Sequence, residues 1–213
     1  MTRTLLEIVG WIGSALVILS LAQARVLRFR WLNLAGAVLA VVYNAVLGIW
    51  PFAAMNAVIA VIDVYWLRRL LTERHDASAF SVIEVRPEDA YLRHVLGVHL
   101  DDIRRFQPTY ALPDPGDARR WAFLVQWQAE TIGAVVVRDE GEGDAEVELD
   151  YVTRRFRDFT PGEFVYAESG VFHDLGVRRL VASPELATQQ TYLRAVGFHD
   201  LHGRWIRLVQ PAL

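Results

Sequence analysis

The amino-acid sequence predicts two parts: an α-helical membrane bundle of three transmembrane helices, and an α+β domain with a mixed, mostly antiparallel sheet. The bundle is predicted by an uncharged run of 32 residues from Trp31 to Ile62 and by a second uncharged run from Ile8 to Ala24. The first run is too long for one membrane-spanning helix and suits a tight pair of them. The α+β domain is predicted because short β-rich runs alternate with helical patterns after residue 80.

Charge divides the chain in the same way. Residues 1–76 carry seven arginines and four acids, a net charge of +3, whereas residues 77–213 carry fifteen arginines and twenty-one acids, a net charge of −6. The acidic second part disfavours nucleic acid as a partner, because a polyanion is repelled by it. The chain has no cysteine, which excludes disulfides and thiolate metal ligands. The histidines show no ligand-like spacing with acids, so no metal site is expected.

Three spans are predicted at Leu5–Ala24, Trp31–Trp50 and Phe52–Leu71, with Pro51 at the turn between the last two. The first span is expected to be a retained helix rather than a signal peptide, because Glu7 interrupts its start and two more spans follow. The predicted domains are therefore a transmembrane domain over residues 1–74, a linker over residues 75–79 and an α+β domain over residues 80–213.

Arginines orient the predicted bundle. Arg25, Arg28 and Arg30 follow the first span, and Arg68, Arg69 and Arg74 follow the third, whereas the connection at Pro51 carries no charge. Three spans place both arginine-rich segments on one side, which the positive-inside rule makes cytoplasmic. The expected location is the cell (inner) membrane, with the N-terminus outside and the C-terminal domain in the cytoplasm.

Few polar side chains fall within the predicted spans, and three of them are candidates for a membrane polar site: Asn44, Asn56 and Asp63. A carboxylate in hydrocarbon is costly, so Asp63 is expected to face the bundle interior, a partner subunit or water. The functional interpretation is a substrate or proton site. The structural alternative is that Asp63 pairs with Arg68 or with an arginine of the first loop, while the two asparagines bond across the hairpin.

The order of several short patterns in the bundle resembles the three-helix units of SWEET/PQ-loop and PnuC-like half-transporters and of YgjV-like bacterial inner-membrane proteins. The matching residues are Trp11-Ile12-Gly13, Leu21-Ala22-Gln23, Asn33-Leu34-Ala35-Gly36, Tyr43, Pro51 and Asn56. Such units pair around a central path, so the resemblance implies a homodimer or a larger membrane complex. The Pro-Gln pair of PQ-loop proteins is Ala22-Gln23 here, which weakens the hypothesis of sugar transport.

The second part predicts the element order β-α-β-β-β-α-β-α-β. The predicted strands are Phe80–Arg86, Trp121–Gln128, Thr131–Arg138, Glu146–Thr153, Val177–Ala182 and Trp205–Leu208. The predicted helices are Glu88–Phe106, Gly162–Leu175 and Pro184–Val196.

This order, together with two local patterns, resembles the GNAT (GCN5-related N-acetyltransferase) fold over residues 80–210. One pattern is the run from Tyr192 to Phe198, which ends in the Gly-Phe pair that follows a helix in that family. The other is the frame from Arg157 to Gly162, which is similar to the family's R/Q-x-x-G-x-G/A loop, with Thr160 at the middle glycine. The resemblance implies that Arg157, Thr160, Gly162 and Glu163 hold the pyrophosphate of acetyl-CoA or another acyl-CoA.

Candidate catalytic residues are Glu148, Asp150 and Tyr192. The family's acid corresponds to Leu193, so Tyr192 is one residue early, and one step on a helix turns a side chain by about 100°. Tyr192 is therefore expected to point elsewhere. Strict alternation along a strand places Glu146, Glu148 and Asp150 on one face, where they are candidate bases for an amine substrate or form a solvated surface.

The resemblances support three hypotheses of function. The first is a membrane-anchored acyltransferase that moves an acetyl or acyl group from acyl-CoA to an unidentified acceptor such as an amine. The second is a catalytically degenerate GNAT-like module that regulates or assembles a small membrane protein. The third is a half-transporter that works as a dimer in the lipid bilayer.

Overall fold

The computed structural model of the chain describes residues 3–73, 79–114, 116, 118–159 and 161–210. These residues divide into two compact units. The first contains residues 1–76 together with 154–158, and the second contains residues 77–153 together with 159–213.

The first unit contains three long helices: α1 (Arg3–Leu21), α2 (Val26–Val46) and α3 (Trp50–Glu73). The second helix begins five residues before the predicted span, so Arg28 and Arg30 belong to its first turns rather than to a loop. Pro51 is the second residue of α3, a position whose backbone N–H has no partner within the helix, so a proline there removes no hydrogen bond. The chain reverses just before it, at Gly48, whose φ of 73° favours glycine.

Helices α1 and α2 approach closely where glycines face each other. A Cβ atom on Gly36 would lie 2.9 Å from the carbonyl oxygen of Gly13 and 2.7 Å from Cγ2 of Val17. A larger residue at position 36 would therefore force the helices apart. Small residues at such a crossing are the usual means by which helices pack when lipid surrounds them.

Two of these helices are long and apolar enough to cross a membrane, Val26–Val46 and Trp50–Thr72. The apolar stretch of α1, Leu6–Leu21, is shorter than a full span. Length and composition therefore support two of the three predicted spans, and α1 falls short by the same criterion.

The second unit is built on one seven-stranded sheet with the strand order β1-β2-β3-β4-β5-β7-β6. Its strands are β1 (Phe80–Val85), β2 (Arg120–Trp127), β3 (Glu130–Gly141), β4 (Asp144–Val152), β5 (Arg179–Ala182), β6 (His199–Leu201) and β7 (Arg204–Leu208). All neighbours are antiparallel except β4 and β5, which are parallel. This confirms the predicted mixed, mostly antiparallel sheet.

The helices of the second unit are shorter than predicted. The helix expected over 88–106 is two helices, α4 (Ala90–Val98), capped by the Asp89 carboxylate, and α5 (Leu100–Ile103).

The helix expected over 162–175 is α6 (Pro161–Glu163), a π-helical turn (Phe164–Glu168) and α7 (Val171–Asp174). It breaks at Gly170, whose φ is 70°.

The helix expected over 184–196 and the last strand also differ from the prediction. A 3-10 turn (Leu186–Thr188) precedes α8 (Gln190–Ala195), and the predicted last strand is the hairpin of β6 and β7. The hairpin adds one strand to the predicted order. Two residues with positive φ, His202 and Gly203, make its turn, which the sequence pattern did not reveal.

Both faces of the sheet are covered by apolar side chains. On one face, Leu92 and Leu96 of α4 pack against Ala122, Val136 and Leu149 of the central strands. On the other face, Phe123 makes an edge contact with Phe172, which stacks on Tyr166, and Tyr166 contacts Phe198 edge-on. The central strands are therefore buried on both sides, as a sheet between two layers requires.

The end of α8 provides a test of this packing. Gly197 has a φ of 83°, and a Cβ atom there would collide with the guanidinium of Arg207, which donates to the Val196 carbonyl at 2.5 Å and to the Tyr166 carbonyl at 3.1 Å. We expect Gly197→Ala to lower the unfolding free energy by more than the roughly 1 kcal/mol that positive φ alone costs. Gly176→Ala is the matched control, since its φ is 76° and its Cβ would meet open space. Thermal unfolding followed by tryptophan emission measures both, and equal losses would contradict the steric contact.

Candidate active site

Strand β4 contains a β-bulge at Glu148. Leu149 pairs with Val136 and Val147 pairs with Val137, so Glu148 is an extra residue between two adjacent partners on β3. Cross-strand partners share a face of the sheet, and Val136 and Val137 lie on opposite faces. The bulge therefore reverses the alternation of β4.

The reversal separates the three candidate carboxylates. Glu146 pairs with Arg138, and Asp150 pairs with Val135, three residues away on the same strand. An odd separation places Glu146 and Asp150 on opposite faces of the sheet. The prediction of one carboxylate face was wrong, because strict alternation fails across the extra residue.

The sheet also opens at Glu148. The parallel pairing of β4 with β5 ends at Val147 and Ala182, whereas β4 continues to Val152. Within the described part of the chain, no strand pairs with that edge of residues 149–152. The bulge and the end of pairing coincide, so backbone and side chains of β4 are available to a ligand at this position.

On the face of α7 and α8, Asp150 accepts two hydrogen bonds from tyrosines. Tyr166 of the π-helical turn donates at 2.9 Å and Tyr192 of α8 donates at 2.5 Å, both to Oδ2. Burial raises the pKa of the Asp150 carboxyl above its usual range, and the two hydrogen bonds oppose that rise. Burial and the Asp150 charge raise the pKa of both tyrosines well above 10, so both stay protonated.

Tyr192 therefore does not point away from the site. Leu193, which corresponds to the family's acid, is buried in the core with 1% of its surface exposed. The short helix α8 turns Tyr192 toward β4 instead. The one-residue offset was visible in the sequence, but the orientation of α8 was not.

The position of the Tyr192 side chain explains why residue 162 is a glycine. A Cβ atom on Gly162 would collide with the Tyr192 hydroxyl and would lie 3.0 Å from Cγ1 of Val196. The absence of a side chain thus allows α6 to lie directly on α8. The charge of Glu163, the next residue, is a minor contribution to the pKa of Tyr192, after burial and Asp150.

Two further residues belong to the predicted acyl-CoA loop. Arg157 is in the 3-10 helix Arg154–Phe159 and belongs to the first unit. Thr160 lies outside the described residues. The structure therefore brings Gly162 and Glu163 beside the Asp150 cluster within the second unit, and the loop as a whole stays a prediction.

On the face of α4 and α5, a pocket of about 450 Å³ contains the other two carboxylates. Arg120 holds Glu148 with two hydrogen bonds, at 2.7 Å from Nε and 3.1 Å from Nη2, and Arg138 pairs with Glu146. Gln107 donates to the Glu148 carbonyl at 2.7 Å, which fixes the bulge from the loop after α5.

The sequence patterns missed Tyr110 in this pocket. Tyr110 is 8% exposed, and its hydroxyl is buried without a hydrogen-bond partner among the described residues. Burial, followed by the charge of Glu148, raises the pKa of Tyr110 above its usual value. Asp114 and Glu185 also line the pocket, so four carboxylates face two guanidinium groups. The proline-rich loop 107–117 was the available signal, since such loops often carry binding residues.

The membrane polar candidates have structural partners within the first unit. Asp63 is fully buried and accepts from Arg30 at 2.9 Å and from Asn33 at 2.6 Å. The structural alternative expected such a pairing of Asp63 with an arginine that follows the first span. Asn44 donates to the Ala40 carbonyl and Asn56 to the Phe52 carbonyl, each four residues back in its own helix. The expected bonding across the hairpin was wrong.

Comparison with known proteins gives a family but no activity. No protein-family profile matches the chain. An uncharacterized protein of Haemophilus influenzae is 31% identical over 68 residues, which are 32% of this chain and 88% of that protein. The chain belongs to the family of that protein. Its description names no activity, so the relationship assigns none to this chain.

Three solved structures align with most of the second unit's length. A Klebsiella pneumoniae protein provisionally assigned as an acyl-CoA N-acyltransferase is 15% identical, and the match covers 63% of this chain and 100% of that chain with a TM-score of 0.48. Escherichia coli YhhK bound to coenzyme A is 13% identical, and the match covers 61% of this chain and 98% of that chain with a TM-score of 0.38. An acetyltransferase from Thermus thermophilus is 21% identical, and the match covers 62% of this chain and 97% of that chain with a TM-score of 0.41. Because each TM-score is below 0.5, the architecture rests on the strand order and register described above.

The Asp150 cluster predicts a pH-dependent stability. Below the ordinary carboxyl pKa of about 4, Asp150 is neutral in both states. As the pH rises, the unfolded chain loses this proton first, because the folded pKa is raised, and folding becomes less favourable. We therefore expect the midpoint temperature of thermal unfolding of the wild type to decrease relative to that of Asp150→Asn as the pH is raised from 4 to 7. Asp174→Asn, at an exposed carboxylate, is the control and should show no such trend. A constant difference for Asp150→Asn would contradict the burial of this carboxyl.

Proposed function

We propose that the second unit is a GNAT-type acyltransferase that moves an acyl group from acyl-CoA to an amine acceptor. The observation that carries the proposal is the opening of the sheet at Glu148. There the Asp150 and Tyr192 pair lies on one face, and an acidic pocket lies on the other. A group bound at this opening reaches both faces of the sheet.

The donor is assigned to the face of α6 and α8. The sequence frame of Arg157, Thr160, Gly162 and Glu163 resembles a pyrophosphate-binding loop, in which an arginine and backbone N–H groups at the start of a helix suit an anion. The contact of Gly162 with the Tyr192 hydroxyl supports a direct coupling of this loop to the Asp150 pair. A coenzyme A complex is described for the E. coli protein, which fits the same assignment.

The chemistry needs one base and one acid. The neutral amine attacks the thioester carbonyl carbon, the C–N bond forms and the C–S bond breaks. Asp150, whose raised pKa suits a general base, takes the proton that the amine loses. The Tyr192 hydroxyl gives its proton to the departing thiolate and recovers one from Asp150, to which it is hydrogen-bonded at 2.5 Å.

The acceptor is assigned to the pocket on the opposite face. Four carboxylates against two guanidinium groups give it a negative balance, which favours a cationic amine. The bidentate pairing with Arg120 leaves Glu148 to shape the pocket rather than to act as the base.

The first unit is proposed to anchor the enzyme in the cell membrane, with the N-terminus outside and the second unit in the cytoplasm. Two helices of sufficient length and the arginines that flank them support this placement. The close glycine packing of α1 and α2 fits a lipid environment, in which the three helices associate with a second copy or a larger complex.

Calorimetric titration of the full-length protein in detergent with acetyl-CoA tests the donor. We expect saturable heat, and we expect Arg157→Ala to weaken binding about tenfold, the usual loss when one charged contact to a phosphate is removed. Arg93→Ala removes an arginine that bonds the Pro113 carbonyl, far along the sequence from the loop, and is the control for charge. No heat at millimolar acetyl-CoA would exclude the transferase and leave a regulatory or assembly module.

Release of free thiol from acetyl-CoA in the presence of spermidine tests the chemistry. Tyr192→Phe keeps the ring and removes only the hydroxyl, so we expect acetyl-CoA binding to persist and turnover to fall by about a hundredfold, the lower bound for loss of a positioned acid. Tyr91→Phe is the control, since its exposed hydroxyl bonds Thr131 outside the site. Equal turnover in Tyr192→Phe and the wild type would remove Tyr192 from the mechanism.

A further inference from the structure

The acidic pocket on the face of α4 and α5 contains two carboxylates without a cationic partner. Glu185 and Asp114 line this pocket of about 450 Å³, and neither forms an ion pair within the described part of the chain. The two arginines of the pocket are already engaged by its other two carboxylates, Glu146 and Glu148. The pocket therefore keeps two formal negative charges that a cationic ligand can neutralise.

The loop before β2 fixes the Glu185 carboxylate. The backbone N–H of Thr109 donates to Oε1 of Glu185 at 3.1 Å, and the Thr109 hydroxyl donates to the same oxygen at 2.8 Å. Oε2 keeps its capacity to accept from a ligand. Gln107, two residues earlier in the loop, donates to the Glu148 carbonyl at 2.7 Å. Two residues of extended chain span about 7 Å at most, so one short loop holds both Glu185 and the bulge where the sheet opens.

A buried hydroxyl lies at the inner end of the same pocket. Tyr110 is 8% exposed, and its hydroxyl has no hydrogen-bond partner among the described residues. Burial, followed by the charge of Glu148, raises the pKa of Tyr110, so the hydroxyl stays protonated and faces that carboxylate. An unsatisfied buried hydroxyl costs free energy, which a ligand N–H that donates to it recovers.

These features match an elongated ligand with an amino group at each end. The outer end of the pocket carries the two uncompensated charges, since Asp114 is exposed and Glu185 is half-buried. The inner end offers the Tyr110 hydroxyl beside the opening of the sheet. Between the ends, Ala111 and Leu112 give an apolar wall that suits methylene groups.

We propose that the acceptor is a diamine or a polyamine, with one ammonium group held by Glu185 and Asp114 and the reacting amino group at Tyr110. The inference rests on the proposed acyltransferase function, because it assigns the acceptor of that reaction. The reacting nitrogen forms the amide and loses its proton to Asp150, and the thiolate leaves with the proton of Tyr192. The distant ammonium group keeps its charge and determines which end of the molecule enters.

Calorimetric titration of the full-length protein in detergent with putrescine tests binding separately from transfer. Pentylamine is the matched control, because a methyl group replaces one of the two amino groups at similar length. Saturating coenzyme A fills the donor site without an acyl group to transfer, so each amine is titrated with and without it. We expect saturable binding of putrescine and about tenfold weaker binding of pentylamine, which lacks one charge-assisted contact. Equal affinities, or no putrescine binding in either condition, would overturn the inference.

Two variants locate the distant ammonium group. Glu185→Gln removes the charge, while the amide oxygen can still accept from Thr109, so we expect about tenfold weaker putrescine binding. Asp114→Asn should weaken binding less, because an exposed carboxylate is screened by solvent. Glu84→Gln removes an exposed acid that does not line the pocket and should leave affinity unchanged. Wild-type affinity in both Glu185→Gln and Asp114→Asn would place the cation elsewhere, against the inference.

Tyr110→Phe separates a ligand contact from a structural role. The ring stays in the core, and the lost hydroxyl has no partner among the described residues, so we expect the midpoint of thermal unfolding to stay constant or to rise. Putrescine binding should weaken several-fold. Wild-type affinity together with a lower midpoint would show that the hydroxyl serves the fold, and would remove Tyr110 from the site.

Thiol release from acetyl-CoA distinguishes failure of this inference from failure of the proposed function. Faster release with putrescine than with pentylamine supports both. Equal release with the two amines would keep the acyltransferase and overturn the diamine as its preferred acceptor. Putrescine binding that Glu185→Gln weakens, without any thiol release, would overturn the acyltransferase and leave a diamine-binding site in the second unit.

Discussion

The arrangement of the second unit depends on one extra residue in strand β4. Without the bulge, Glu148 would pair in register with β3, and Glu146 and Asp150, four residues apart, would share a face. With it, Asp150 reaches the layer of α7 and α8, and Glu146 stays with Arg138 on the opposite side. The bulge thereby produces two chemically different surfaces from three alternating acids. Gln107 fixes its carbonyl, so the loop after α5 and the strand position each other.

The two surfaces differ in the surroundings of their carboxylates. On the Asp150 side, one carboxyl is surrounded by tyrosine hydroxyls and aromatic rings, and burial raises its pKa. On the other side, Glu146 and Glu148 are matched by arginines and keep contact with an open pocket. A group with a shifted pKa suits proton transfer, and paired charges suit recognition. The proposed division between donor and acceptor follows from this difference.

The polar groups of the first unit have partners of two kinds. Arg30 and Asn33 donate to the Asp63 carboxylate in the interior, where an unpaired carboxylate would be costly. Asn44 and Asn56 satisfy one donor each within their own helices. Spacing along the helix did not distinguish the two kinds.

The sequence by itself determined the element types. Hydrophobic periodicity and charge distribution determine local structure directly, so the three long helices, the meander of β2 to β4 and the parallel strand after a helical crossover were predictable. The sequence also gave Asp150 and Tyr192 as candidate catalytic residues and Gly162 as a residue of the predicted acyl-CoA loop. Only the tertiary structure decided their relations. The bulge at Glu148, the turn of Tyr192 toward Asp150, the collision that requires Gly162 and the burial of Tyr110 all depend on contacts between residues distant in sequence. Such contacts leave no periodic signal, because each is set by the packing of one element on another.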